Sequence, residues 1–143
     1  MPHEPGNSQW PKPIDVEKLA LGTDQPGWQR WWLVRDPSGT GIVGHVNLLG
    51  DRLPTALHRC ELGIGIERDY RGRGLGRRLM NQALDFARNS PSLHWVDLKV
   101  FAHNTRAIDL YTRLGFVEVG RVPDRFRIEG LAVDDVIMVL DVN

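Results

Sequence analysis

The densest chemistry in this sequence lies in Arg71-Gly72-Arg73-Gly74-Leu75-Gly76, with Arg77 and Arg78 directly after it. From there Leu75, Leu79, Ala83, Phe86 and Ala87 recur at helical spacing, so the glycines stand at the start of a helix. Glycine leaves backbone N–H groups unshielded by a Cβ and reaches positive φ without strain. Open amides at a helix N-terminus beside the guanidinium groups of Arg71, Arg73, Arg77 or Arg78 make a phosphate cradle. A helix end alone contributes about 0.3–1 kcal/mol at an exposed site, so several amides and arginines must act together to hold a diphosphate. Two phosphate-binding patterns fail on residue identity. A P-loop needs Gly-Lys followed by Ser or Thr, and a dinucleotide fingerprint begun at Gly72 needs a small residue where Arg77 stands. Arg-x-x-Gly-x-Gly remains, and on this hexapeptide alone a loosened turn with a solvated basic face is an equal reading.

Such a turn must be positioned by a strand before it and a helix after it. Arg59 to Ile66 reads as the strand, with Leu62, Ile64 and Ile66 on one face and Glu61, Gly63 and Gly65 on the other, which is almost bare of side chains. The helix spans Gly74 to Asn89, and Leu93 to Phe101 forms the next strand with Val96, Leu98 and Val100 on one face, completing a parallel β-α-β unit. Upstream, Trp28 to Arg35 and Gly41 to about Leu49 make a hairpin across Asp36-Pro37-Ser38-Gly39, and Ile14 to Ala20 reads as a short helix. Downstream, Asn104 to Leu114 is a helix with an inner stripe of Ala107, Leu110, Tyr111 and Leu114, ended by Gly115. Strands Phe116 to Arg121 and Val136 to Leu140 follow, with a loop between them. The unbroken Val-Ile-Met-Val-Leu run predicts a central strand buried on both faces. The fold class is α/β with a mixed sheet, in one domain spanning 1–143 whose first residues, to about 13, are loosely structured.

Composition sets the outer bounds. A chain of 143 residues, 41% hydrophobic and 25% charged, supports one packed core. Eighteen basic residues balance eighteen acidic ones, so no surface-wide nucleic-acid binding is expected, and the arginine-rich turn lacks the interleaved aromatics of a base-stacking surface. Cys60 is the single cysteine, no apolar run reaches membrane-spanning length, and the Pro-rich start lacks the apolar stretch of a secretory signal. A cytoplasmic protein without membrane contact is the resulting expectation. His45, His58 and His103 match no metal-ligand spacing, so no metal is expected.

With the hexapeptide at its strand-to-helix turn, the chain resembles the GNAT superfamily of acetyl-coenzyme A-dependent N-acetyltransferases, whose signature is Arg/Gln-x-x-Gly-x-Gly/Ala. A second block, Asn104-Thr105-Arg106-Ala107-Ile108-Asp109-Leu110-Tyr111-Thr112-Arg113-Leu114-Gly115-Phe116, is similar to the superfamily's Asn-x-x-Ala-x-x-Leu-Tyr-x-x-x-Gly-Phe. The run from Arg127-Ile128-Glu129-Gly130 to Asp135-Val136-Ile137-Met138 is similar to the branch of bacterial amino-acid and protein N-terminal acetyltransferases. The resemblance spans about residues 28 to 142. It implies a mostly antiparallel sheet with one parallel pair splayed to admit acetyl-CoA, and helices on both faces. It also implies transfer of an acetyl group to a primary amine by direct attack in a ternary complex; a non-catalytic acyl-CoA sensor or interaction module is the alternative. Relatives carry more chain before the Trp28 strand, so the segment 1–27 is short or atypical. A homodimer is compatible with this.

Carried over position by position, the resemblance implies cofactor contacts at Ile64, Gly65, Ile66, Arg71, Gly72, Arg73, Gly74, Leu75, Gly76, Arg77, Asn104, Ala107 and Tyr111. Glu61, ten residues before Arg71, resembles the strand carboxylate that serves as base in histone-acetylating members; the plain reading is a surface carboxylate paired with Arg59 or another arginine. Tyr111 matches the phenol assigned as acid to the leaving thiolate, and otherwise reads as a core aromatic. Asn104 reads equally as an N-cap. A backbone N–H within Gly63 to Ile66 would hold the oxyanion. The acceptor governs the demand on the base: at pH 7 about one lysine side chain in 2,500 is neutral, against roughly one α-amine in nine. Trp28, Trp31 and Trp32 are candidates for the acceptor cleft, with core packing the more ordinary role. Arg125 and Arg127 could meet an acceptor carboxylate but by default belong to a solvated loop. Cys60 reads as a buried structural thiol before an acyl carrier.

Overall fold

Alternating strands and amphipathic helices assemble into a six-stranded sheet in a computed structural model that describes residues 16–39 and 41–143. The chain order is α1 (Val16–Leu19), β1 (Gln29–Arg35), β2 (Ile42–Gly50), β3 (Arg59–Ile66), α2 (Leu75–Arg88), β4 (Trp95–Phe101), α3 (Thr105–Arg113), β5 (Val117–Ile128) and β6 (Leu131–Asp141). The strands lie in the order β1-β2-β3-β4-β6-β5, antiparallel throughout except for the parallel pair β3 and β4. Among the described residues no helix is long and apolar enough to cross a membrane. Of the expected first helix, Ile14 and Asp15 lie outside the described residues, as does the start of the chain to residue 13.

The period of two sorts each strand. Val46 and Leu48 of β2, Cys60 and Leu62 of β3, Val96, Leu98 and Val100 of β4, and Val136, Met138 and Leu140 of β6 form one buried face. Against it α2 lays Leu79, Met80, Ala83, Leu84 and Ala87, and α3 adds Tyr111 with Ala107, Leu110 and Leu114 around it. Helix cover is therefore unequal. Both long helices serve this face, while among the described residues the other has only the single turn α1, which brings Lys18 to a groove there. Trp28 is fully buried and lies so close over Gly50 that a Cβ there would overlap the indole. Trp32 meets Phe86 edge-on at 5.5 Å.

Two expectations for the C-terminal third are corrected. The segment between Arg121 and Val136 is not a loop but most of a long hairpin, closed by Glu129 and Gly130 at φ 52° and 79°. Positive φ at both turn residues matches the right-handed twist of the flanking strands. Register shifts between Glu118 and Gly120 and between Val122 and Phe126 break the alternation that would have revealed β5. Nor is β6 buried on both faces. It is internal to the sheet, but Ile137 and Val139 line the open groove and are only half-buried.

Cys60 is a core thiol, and burial pushes its pKa up to about 12. A thiol that resists ionisation in the fold contributes stability below its unfolded pKa and loses it as pH rises toward 12. By pH 10.5 this amounts to roughly 2 kcal/mol. The urea midpoint should therefore fall between pH 8 and 10.5, and Cys60→Val should remove much of that fall; an unchanged pH dependence in the variant would contradict the assignment.

Candidate active site

The parallel ladder between β3 and β4 has three rungs, Arg59 with Trp95, Cys60 with Val96 and Glu61 with Asp97. Both strands continue, β3 to Ile66 and β4 to Phe101, each still paired on its outer side, yet they no longer pair with one another. The sheet forks at Glu61, and the β3 edge from Leu62 to Ile66 faces a gap. Below the fork the strands are pinned by Arg59, whose Nε and Nη2 donate to Asp97 Oδ2 at 3.0 Å and Oδ1 at 2.6 Å. Its guanidinium also lies 5.0 Å from the centre of the Trp95 ring. Hydrogen bonding to Asp97 raises the Arg59 pKa further.

At the end of the β3 arm the glycine-rich turn takes the shape its sequence demands. Gly72 and Gly74 both have φ 78°, a left-handed backbone in which a side chain is strained. A Cβ built at Gly74 would project into open space, and at Gly72 it would lie 3.5 Å from Nη2 of Arg106. Gly76 fits between Ile66 and Leu110, while Leu75 opens α2. Neither α2 nor α3 has an acidic residue in its first turn. Those turns instead hold Arg77, Arg78 and Arg106, the wrong sign for a helix N-terminus unless an anion joins them.

The arginines differ in how committed they are. Arg71 donates Nε to the Ile66 carbonyl at 3.0 Å, closing the end of β3, and Arg73 lies 5.1 Å over the Tyr70 ring. Tyr70 in turn donates to Asp36 of the β1-β2 turn at 2.8 Å. Arg77 and Arg106 have no ion-pair or hydrogen-bond partner among the described residues. Asn104 caps α3, its Oδ1 accepting from Ala107 N at 3.2 Å, so the Ala107 amide is taken.

Glu61 and Tyr111 belong to opposite sides of the sheet. Tyr111 sits in the helix-side core near Phe116, its hydroxyl without a hydrogen-bond partner among the described residues, and burial pushes its pKa up to about 12. Glu61 is half-exposed on the other face with Lys99 Nζ at 3.8 Å, since Arg59 is held by Asp97. It borders an open groove of about 680 Å³ lined also by Asp51, Arg52, Asp97, Lys99, Ile137 and Val139. This groove is what sequence reasoning missed, because its walls come from all six strands, α1 and the loops between them, with no local pattern. The tryptophans divide: Trp28 contributes to its wall, whereas Trp31 stacks on His45 at 5.3 Å. Arg127 forms a forked pair with Asp124 at 2.7 and 3.1 Å, and Arg125 lies 4.5 Å from the Phe126 ring, so both belong to the hairpin. The bare β3 face is partly filled: Asn47 of β2 leans over Gly63.

The chain is matched by known proteins over most of its length. Residues 3–116 match the acetyltransferase (GNAT) family. The chain belongs to that family. Among curated relatives, the spermidine N(1)-acetyltransferase of Vibrio cholerae is 39% identical over 117 residues, 81% of this chain and 65% of that protein. The N-alpha-acetyltransferase RimI of Mycobacterium tuberculosis is 42% identical over 127 residues, 87% of this chain and 72% of that protein. The [ribosomal protein uS5]-alanine N-acetyltransferase of Escherichia coli is 30% identical, and the chain spans 54% of its length. A solved GNAT-family acetyltransferase from Streptococcus pneumoniae superposes with a TM-score of 0.78 at 28% identity, covering 90% of this chain and 72% of that one. Acetyl-CoA is the co-substrate of GNAT acetyltransferases, and the open, left-handed turn here has the room and the donors that a diphosphate needs.

The turn's geometry is testable. Gly74→Ala should cost roughly 1–2 kcal/mol through the strained left-handed backbone, read as a lower urea midpoint. Its new methyl, pointing to the open side, should also weaken acetyl-CoA binding in calorimetry, whereas Gly130→Ala, at φ 79° in the β5-β6 turn with open space around it, should carry only the stability cost.

Proposed function

We propose that this GNAT chain transfers an acetyl group from acetyl-CoA to a primary amine by direct attack in a ternary complex, the acceptor being an amino acid, a peptide N-terminus or a small amine. The observation carrying this reading is the fork at Glu61: a strand edge with unpaired backbone groups next to a cationic glycine turn, with a groove on the face opposite the helices. The thioester arm would lie along Ile64, Gly65 and Ile66. Its diphosphate would be held by the amides of Gly72, Gly74, Leu75 and Gly76, with Arg71 and Arg73 placed from the strand end and from Tyr70, and with Arg77 free to turn inward. Asn104 shapes the first turn of α3 beside it, fixing Ala107. The cytoplasm, where the lone Cys60 thiol stays reduced, is the compartment this reading assigns.

Glu61 receives the proton from the attacking amine, directly or through water, from its half-exposed place at the groove. Tyr111 has a different task from the one its free phenol suggests. At about 12 its pKa lies some 3.5 units above an ordinary thiol, so complete proton transfer to a departing thiolate is uphill by roughly 5 kcal/mol. The hydroxyl instead stabilises the developing thiolate by a hydrogen bond, and being without a partner it is free to do so. Backbone N–H groups of β3 beyond Glu61 are donors for the carbonyl oxygen. The relatives named above carry spermidine, α-amine and ribosomal-protein alanine acceptors in their names, and an α-amine makes the smaller demand on a carboxylate open to water.

Release of coenzyme A, followed across a panel of amino acids, peptides and polyamines, tests the reading. Acceptor-dependent release is expected; tight acetyl-CoA binding without release with any acceptor would reduce the chain to a carrier-binding protein, and no binding would remove the proposal altogether. Glu61→Gln should lower kcat by about 100-fold or more. Tyr111→Phe should lower kcat by roughly 10- to 100-fold. Because the phenol stays protonated until pH approaches 12, that loss should be the same at pH 7 and pH 9.5. A loss confined to one end of this range would assign the titration to another group.

A further inference from the structure

We propose that the side-chain amide of Asn47 is a further contact for the reacting group, donating a hydrogen bond to the carbonyl oxygen of the acetyl group at the fork; the inference rests on the acetyl-transfer reading above. Asn47 stands on β2 directly opposite Gly63, just as Leu49 stands opposite Glu61, so Asn47 and Glu61 share one face of the sheet within two residues of the fork. A Cβ at position 63 would come 2.9 Å from Asn47 Oδ1 and 3.5 Å from Nδ2. The missing side chain at Gly63 therefore lets the amide lean across β3, the strand that borders the gap.

The amide's surroundings ask for a ligand. Asn47 is 5% exposed, and among the described residues its side chain has no hydrogen-bond partner. Leaving such a group unsatisfied in the fold is destabilising. It is not sealed in, because the only fully enclosed side-chain polar atom without a partner among the described residues is the Trp28 indole nitrogen. Its neighbours on that face do not serve it: His45 is stacked on Trp31, and Gly63 and Gly65 offer only main chain. An uncharged donor held in a mostly dry site gains strength as negative charge collects on a carbonyl oxygen during attack. Asn47 forms and breaks no covalent bond in this role; it supplements the β3 backbone donors.

Asn47→Leu, close in shape but without polar atoms, separates this role from a structural one. The expected result is a loss of about 10-fold or more in kcat with the KM for acetyl-CoA nearly unchanged. The thermal midpoint should be unchanged or raised, because the variant removes a buried group that lacks a partner. Asn47→Asp, which keeps the shape but loses the donor, should be similarly slow near pH 7. Unchanged kcat in the leucine variant, or a midpoint lowered by several degrees, overturns the proposal. If the wild type binds acetyl-CoA yet releases no coenzyme A with any acceptor, the acetyl-transfer reading falls separately. Asn47 is then decided by the affinity of acetyl-CoA relative to free coenzyme A: a preference that the leucine variant abolishes supports the contact, and equal affinities in the wild type refute it.

Discussion

The structure depends on a ladder that stops. Three parallel rungs join β3 to β4, and the third, between Glu61 and Asp97, is the last. Backbone hydrogen bonding is cooperative along a sheet, so a pair that opens midway must be held shut on one side and kept apart on the other. The charge-assisted fork between Arg59 and Asp97, with the guanidinium over Trp95, does the first. The second comes from the outer neighbours: β2 draws β3 to itself as far as Ile66, and β6 draws β4 as far as Phe101. Each arm is satisfied on its far side, so the gap costs only the inner edge.

The two faces of the sheet then acquire different work. One is closed by α2 and α3 around an aliphatic core that leaves little room for chemistry beyond the Tyr111 hydroxyl. The other carries Glu61, Asp97, Lys99 and the buried amide of Asn47, with a groove that reaches from α1 to β6. A substrate pair entering from opposite sides would meet only at the gap. The same division leaves the Tyr111 phenol buried on the helix side and the Glu61 carboxylate half-exposed on the groove side.

Much of this was legible in the residues. The limits of β3 follow from its alternation, and the turn at Gly72 and Gly74 from glycines next to a helical stripe, because short-range sterics decide both. The helix of Asn104 to Leu114 was readable through its cap and its terminal glycine. What escaped were features made by partners distant in sequence. Met80 and Leu84 look peripheral to a stripe counted from Leu75, yet they face the sheet because α2 presents a wider apolar band to it. β5 was hidden by its two register shifts, although Glu129-Gly130 between paired strands was a usable hairpin sign. The bare face of β3 suggested room for a ligand alone, and only the register of β2 shows Asn47 using part of it.

The arginines at the starts of α2 and α3 have a thermodynamic consequence of their own. With no carboxylate in either first turn, like charges face the positive ends of two helix dipoles in the same corner of the molecule. The strain is electrostatic and eases as counter-ions gather, so this corner softens in dilute buffer and firms with rising ionic strength, opposite to a surface held by salt bridges.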